Sequence, residues 1–162
     1  MSDRSDSIPS TVVLGMGNLI LSDDGLGVRA LQLLEGDSRV PQGVRLVDAG
    51  TFGLELLGYV AGVSRLLVLD CVDVGEAPGT LVRLDAEELR KLPFASHAHD
   101  LSLTDLLAAL RLMDLEPKEV LLMGIQPATT DPGTALSPSV EAVLPKLVGL
   151  AIQELVNGAA KV

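Results

Sequence analysis

Short, unbroken apolar runs that stop abruptly on small or acidic residues are the most constraining feature of this chain. Thr11-Val12-Val13-Leu14 runs into Gly15, Leu66-Leu67-Val68-Leu69 into Asp70, and Val120–Ile125 into Gln126-Pro127. Strands with one wet face alternate apolar and polar residues; unbroken runs of this length fit strands covered on both faces. Between them lie segments with helical spacing. Gly25–Leu34 carries apolar residues on one side and ends at Glu35-Gly36. Phe52, Leu56 and Val60, with Leu57 and Ala61 beside them, predict a one-sided helix. Further helices are expected near Ala86–Leu92, at Ser102–Met113, and from Ser137-Pro138, where a cap residue precedes a proline at the first helical position.

A second strand is expected at Val44–Val47 and a third at Arg65–Leu69. The link from Asp70 to Thr80 is too short for a helical crossover, so Thr80–Leu84 should run antiparallel to its neighbour. The order β-α-β-α-β-β-α-α-β-α predicts a three-layer α/β sandwich. Its twisted, mostly parallel five-stranded sheet has one antiparallel strand and helices on both faces. Residues 1–10 are expected to be a flexible tail and 11–162 a single domain, a length sufficient to bury a core without staples.

Composition narrows the partners. The net charge of −10 would repel a phosphate backbone, and one Tyr and two Phe offer little for base stacking, so no nucleic acid is expected. A basic partner or a metal cation would be attracted instead. The single cysteine, Cys71, allows no internal disulfide. The polar opening lacks the apolar stretch of a signal peptide, and no run reaches the ~18–20 residues of a membrane span. A cytoplasmic chain without membrane insertion is expected.

In open α/β sheets the working site lies beyond the carboxyl ends of the strands. Gly15-Met16-Gly17-Asn18 and Asp23-Asp24-Gly25 follow strand one, Asp48 ends strand two, and Asp70 ends strand three. Asp23 or Asp24 could cap the following helix, but two adjacent acids cannot both cap one turn. Asp48 could equally bond the amides of Ala49–Thr51 or serve a site. Asp70 closes the most apolar run, where an unpaired charge is costly, and that favours a site role. Cys71 alternates to the other face and reads as a small core residue. His97 and His99 precede the helix that leads into strand five. A histidine joined to Asp24 and Asp70 would suit a divalent metal with open coordination positions. The loop Gln126–Leu136 at the same edge, with its Asp131-Pro132-Gly133 turn, could be a flexible lip or an ordinary connection.

Familiar alternatives are weakened. Gly15-Met16-Gly17 lacks the third glycine of a dinucleotide fingerprint. Among the missing motifs are the Gly-Lys-Ser/Thr phosphate loop, the Gly-x-Ser-x-Gly elbow, the His-Glu-x-x-His helix and the Cys-x-x-Cys pair. A receiver-like domain would carry Lys where Gln126-Pro127 stands.

In order along the chain, Gly15-Met16-Gly17-Asn18-Leu19-Ile20-Leu21-Ser22-Asp23-Asp24-Gly25-Leu26-Gly27-Val28-Arg29 resembles the opening motif of the [NiFe]-hydrogenase maturation endopeptidases. Asp48-Ala49-Gly50-Thr51 with Glu55-Leu56-Leu57, Val68-Leu69-Asp70-Cys71-Val72-Asp73 with Ala77-Pro78-Gly79-Thr80, Ser96–Leu110, and Gly124-Ile125-Gln126-Pro127 resemble four further blocks. The resemblance implies a protease of aspartic type that removes a C-terminal peptide from a [NiFe]-hydrogenase large-subunit precursor after nickel insertion. It implies that Asp24, Asp70 and His99 contact a nickel ion supplied by the substrate, with Asp24 or Asp70 acting as catalytic base and Asp48 near the site. Asp23 and Asn18, within the opening motif, are taken as supporting residues. No organic cofactor is expected. A non-catalytic nickel carrier for hydrogenase assembly would use the same ligands and cut nothing. Many family members carry Glu where this chain has Asp24, which shortens the reach by about 1.5 Å. His97 has no clear counterpart.

Overall fold

The structure is a computed structural model that describes residues 8–92 and 101–160. The first apolar run forms β1 (Thr11–Met16), central enough to pair in parallel with β2 (Arg45–Gly50) on one side and β3 (Arg65–Cys71) on the other. Beyond β3 lies β5 (Glu119–Ile125), also parallel, and β4 (Leu81–Asp85) closes the sheet as its antiparallel edge. The five strands run in the order β2-β1-β3-β5-β4.

Both faces are covered, as the unbroken apolar runs require. In β3, Leu66 and Val68 belong to one core, while Leu67 and Leu69 belong to the other. The second core is closed by α1 (Leu26–Glu35) and α5 (Pro138–Ala159). The first is closed by Leu56 and Val60, the latter in the single turn α2 (Leu57–Val60), and by α4 (Leu101–Leu112), with α3 (Ala86–Lys91) beside β4. Each Leu or Val so buried contributes about 1.5–3 kcal/mol relative to exposure. Ala86 and Leu89 give α3 only half-buried contacts, and its start is fixed instead by a capping box between Asp85 and Glu88.

Several boundaries differ from the sequence expectation, and three of these differences have a clear structural cause. β2 continues through Asp48 to Gly50, because pairing with β1 persists across a register shift at Gly15/Met16. β3 likewise runs two residues past Leu69, with Asp70 paired to Gly124 and Cys71 to Ile125. The helix expected from Phe52 is broken: Gly53 adopts φ −118°, ψ −104°, so only a 3₁₀ turn at Leu54–Leu56 and the turn α2 form. Leu56 and Val60 are buried as their spacing demanded, whereas Phe52 stays 57% exposed.

At the amino end of the strands, Arg65 lies between Glu119 (3.2 Å) and Glu154 of α5 (2.9 Å). Its backbone amide donates to the Ser10 carbonyl, so the chain is already pinned just before β1. The carboxyl end is organised differently.

Candidate active site

Beyond β1 the chain turns back on itself within a few residues. Gly17 has φ +129°, and a Cβ there would overlap the carbonyl oxygen of Asp24, so only glycine lets the two segments touch. The Gly17 amide donates to the Gly50 carbonyl (2.8 Å), which ties this turn to the end of β2. Asn18 then organises the return: its side-chain oxygen accepts from the Ile20 amide (3.1 Å), and its own amide donates to the Asp24 carboxylate (3.0 Å). A 3₁₀ turn, Ser22–Gly25, carries both acids and leads directly into α1.

The first turn of α1 rests on the carboxyl ends of β1 and β3. A Cβ on Gly27 would overlap the carbonyl oxygens of Leu69 and Met16. This close approach sets the turn bearing Asp24 against β3, the strand that bears Asp70. Asp24 is 5% exposed and Asp70 6%, among the few buried polar residues described. Asp70 accepts from the amide of Cys71 (2.7 Å). Two of the expected ligands thus share one edge of the sheet, in surroundings where a carboxylate is retained only with partners or a function.

Neither acid caps α1; no side chain bonds at its start. Asp23 is instead fully buried and reaches across to the loop after β5. Its carboxylate accepts from the amides of Ala128 (2.9 Å), Thr129 (3.1 Å) and Ser137 (2.7 Å) and from the Ser137 hydroxyl (2.8 Å). Burial alone would push this carboxyl up. The bonds from Ser137, Thr129 and Ala128 outweigh it and hold the group below its ordinary value of 3.8. The loop after β5 is further stitched down by the Ser22 amide donating to the Gly133 carbonyl and the Gly133 amide to the Ile20 carbonyl, by the Ser22 hydroxyl donating to the Asp131 carbonyl, and by Arg29 donating to the Thr134 carbonyl. Held at these points, the loop is fastened down and is not a free lip.

Asp48 is exposed and accepts from the Gly50 amide (3.0 Å), the turn bond considered for it. It also lines an open cleft of about 340 Å³ shared with Gly17, Asn18 and Thr51, so its turn role and its place beside the site coexist. Cys71 packs half-buried against the core under α1 and α5, on the face opposite Asp70. His97 and His99 lie outside the described residues. Among the described residues, no three His, Cys, Asp or Glu side chains gather closely enough to hold a metal ion.

Sequence reasoning missed Gln126. It is 5% exposed, its side-chain oxygen accepts from the amides of Val74 (2.8 Å) and Glu76 (3.2 Å), and its side-chain nitrogen donates to Asp73 (2.9 Å). It thereby shapes the loop leaving β3 just after Asp70. A glutamine between a buried strand and a proline was the available signal.

Known proteins share this sequence pattern and this fold. The family model described as hydrogenase maturation protease matches residues 28–154. The hydrogenase 2 maturation protease of Escherichia coli K12 is 40% identical over 136 residues, covering 82% of each chain. The hydrogenase expression/formation protein HupM of Azotobacter chroococcum is 39% identical over 149 residues, covering 90% of this chain and 71% of that one. The solved structure of the hydrogenase maturating endopeptidase HybD from E. coli superposes with a TM-score of 0.84 at 35% identity, covering 91% of this chain and 93% of that one.

Proposed function

The chain belongs to the hydrogenase maturation protease family, and from that premise we propose that it removes the C-terminal peptide of a [NiFe]-hydrogenase large-subunit precursor once nickel is in place. Family membership favours this endopeptidase reading over a non-catalytic nickel carrier. The observation that carries the choice of residues is the pair Asp24 and Asp70, both buried at one sheet edge, one brought there by the close packing of Gly27 on β3.

In this proposal nickel arrives as part of the substrate. Carboxylates and an imidazole are hard or borderline donors able to fill open positions on a thiolate-bound nickel. Asp24 and Asp70 supply the carboxylates, and His99 is the third donor by resemblance. Their contact with the precursor's metal would fix the scissile peptide beside them, and such orientation is worth a large share of a rate enhancement. The metal would add Lewis-acid polarisation of the carbonyl or acidification of a water. One carboxylate takes the proton of the attacking water and passes it to the departing amine nitrogen, so water is added across the C–N bond with no net proton change.

Asp23 has no part in this chemistry; its acceptor capacity is committed to the loop after β5. Asp48 and Asn18 shape the approach. A cytoplasmic location belongs to the same proposal. It is supported by the single cysteine, which allows no internal disulfide. Incubation with a nickel-loaded precursor, followed by mass measurement, tests the proposal. The precursor should lose the mass of its C-terminal peptide, and an unchanged mass contradicts the assignment.

A further inference from the structure

Aromatic side chains are scarce in this chain, one Tyr and two Phe, and the core is built from aliphatic residues. Yet Tyr59 is 49% exposed and Phe52 57%, and both line one groove of about 520 Å³. An aromatic ring gains more from burial than almost any other side chain, so two rings held half-bare on one groove are surface offered to a partner. The groove runs along β2, which is an edge strand of the sheet. An edge of this kind can accept an added strand, with main-chain bonds giving affinity and neighbouring pockets giving selectivity.

Two further observations narrow the occupant. Asp48 lines both this groove and the cleft beside Gly17 and Asn18, so a chain lying in the groove leads toward the buried acids. The groove carries Asp48 and Glu55 against Arg45, an acidic excess within a chain of net charge −10. Two copies of so acidic a chain would repel each other at this edge, whereas a basic segment would be drawn to it.

We propose that this groove seats an extended segment of the precursor, added as a strand along β2, with a large apolar side chain between Phe52 and Tyr59 and a basic side chain facing Asp48 and Glu55. The assignment rests on the protease reading and adds to it the surface that selects the substrate.

The test is steady-state cleavage of nickel-loaded precursor by the wild type, by the double variant Phe52→Ser/Tyr59→Ser, and by Glu55→Lys. All three positions are exposed, so melting temperatures should stay together. The double variant should raise KM by about tenfold, as loss of an aromatic anchor does, while kcat stays within about twofold. Glu55→Lys should also raise KM, and its penalty should shrink as salt is added. An unchanged KM in both variants overturns the proposal. So does a concentration-dependent dimer, seen by sedimentation, that the double variant abolishes without changing KM, since the groove then belongs to a second copy. If the wild type leaves the precursor whole, the protease reading falls by itself. Calorimetry with a synthetic peptide spanning the precursor's cleavage region then decides the groove separately. Binding lost in the double variant supports it, and equal binding overturns it.

Discussion

Asp23 and Asp24 are adjacent, buried and part of the same 3₁₀ turn, yet the turn divides the carboxyl edge into two unlike regions. On the side of Asp23 the loop after β5 is fastened by four bonds to one carboxylate and by the bonds from Ser22 and Arg29. On the side of Asp24 lie Asn18, the open cleft toward Asp48, and the half-exposed Phe52 and Tyr59. Identical side chains thus serve opposite ends. One is saturated with donors and holds structure; the other accepts from the Asn18 amide beside an accessible cleft, close to β3 and Asp70. A buried carboxylate is stable where its acceptors are filled and useful where its surroundings stay open to a substrate.

The largest effect expected is on catalysis. Asp70→Asn and Asp24→Asn should each lower cleavage of the nickel-loaded precursor by about a thousandfold or more, since size is kept while charge, ligand strength and basicity are lost. Their melting curves should stay close to wild type. Normal cleavage by either variant would remove that residue from the chemistry.

Asp23→Asn should show the reverse pattern. An amide keeps one acceptor oxygen and turns its NH₂ toward the donors of Ala128, Thr129 or Ser137. Bonds to a charged group are worth about 1.5–3 kcal/mol each, so a loss of about 2–4 kcal/mol is expected, read by denaturant unfolding. At a temperature where the variant is folded, its cleavage should remain within about tenfold of wild type. Equal stability of Asp23→Asn and wild type would erase the distinction between the two acids.

A smaller effect follows from proton linkage. The carboxyl of Asp23 is held below 3.8 in the folded chain, so its contribution is fully present above that value and is lost as pH falls through the folded value. The stability gap between wild type and Asp23→Asn should therefore be constant near neutrality and close progressively below about pH 4. A gap that widens on acidification would mean that the folded state raises this group instead.

The division between the two acids was not legible in the sequence, and the reason is distance. The partners of Asp23 lie 105 residues on at Ala128 and 114 residues on at Ser137, and no local pattern announces such pairings. What was legible rests on local rules. The unbroken run at Leu66–Leu69 announced a strand covered on both faces, and the short link after Asp70 announced the antiparallel β4. Asp70 and Cys71 fell on opposite faces through simple alternation. Boundaries failed where pairing overrode local preference, as at β2, which continues through Asp48 because β1 offers it partners to Gly50. The helix from Phe52 failed because its periodicity was sound at Leu56 and Val60, while the backbone at Gly53 interrupted it.

The central claim is that the substrate's own metal brings the scissile bond to Asp24 and Asp70. Its most direct test is to incubate the wild-type chain in parallel with nickel-loaded and nickel-free precursor, and to follow the mass of each over time. The loaded precursor should lose its C-terminal peptide while the empty one survives excess enzyme; efficient cutting of the empty precursor would contradict the claim.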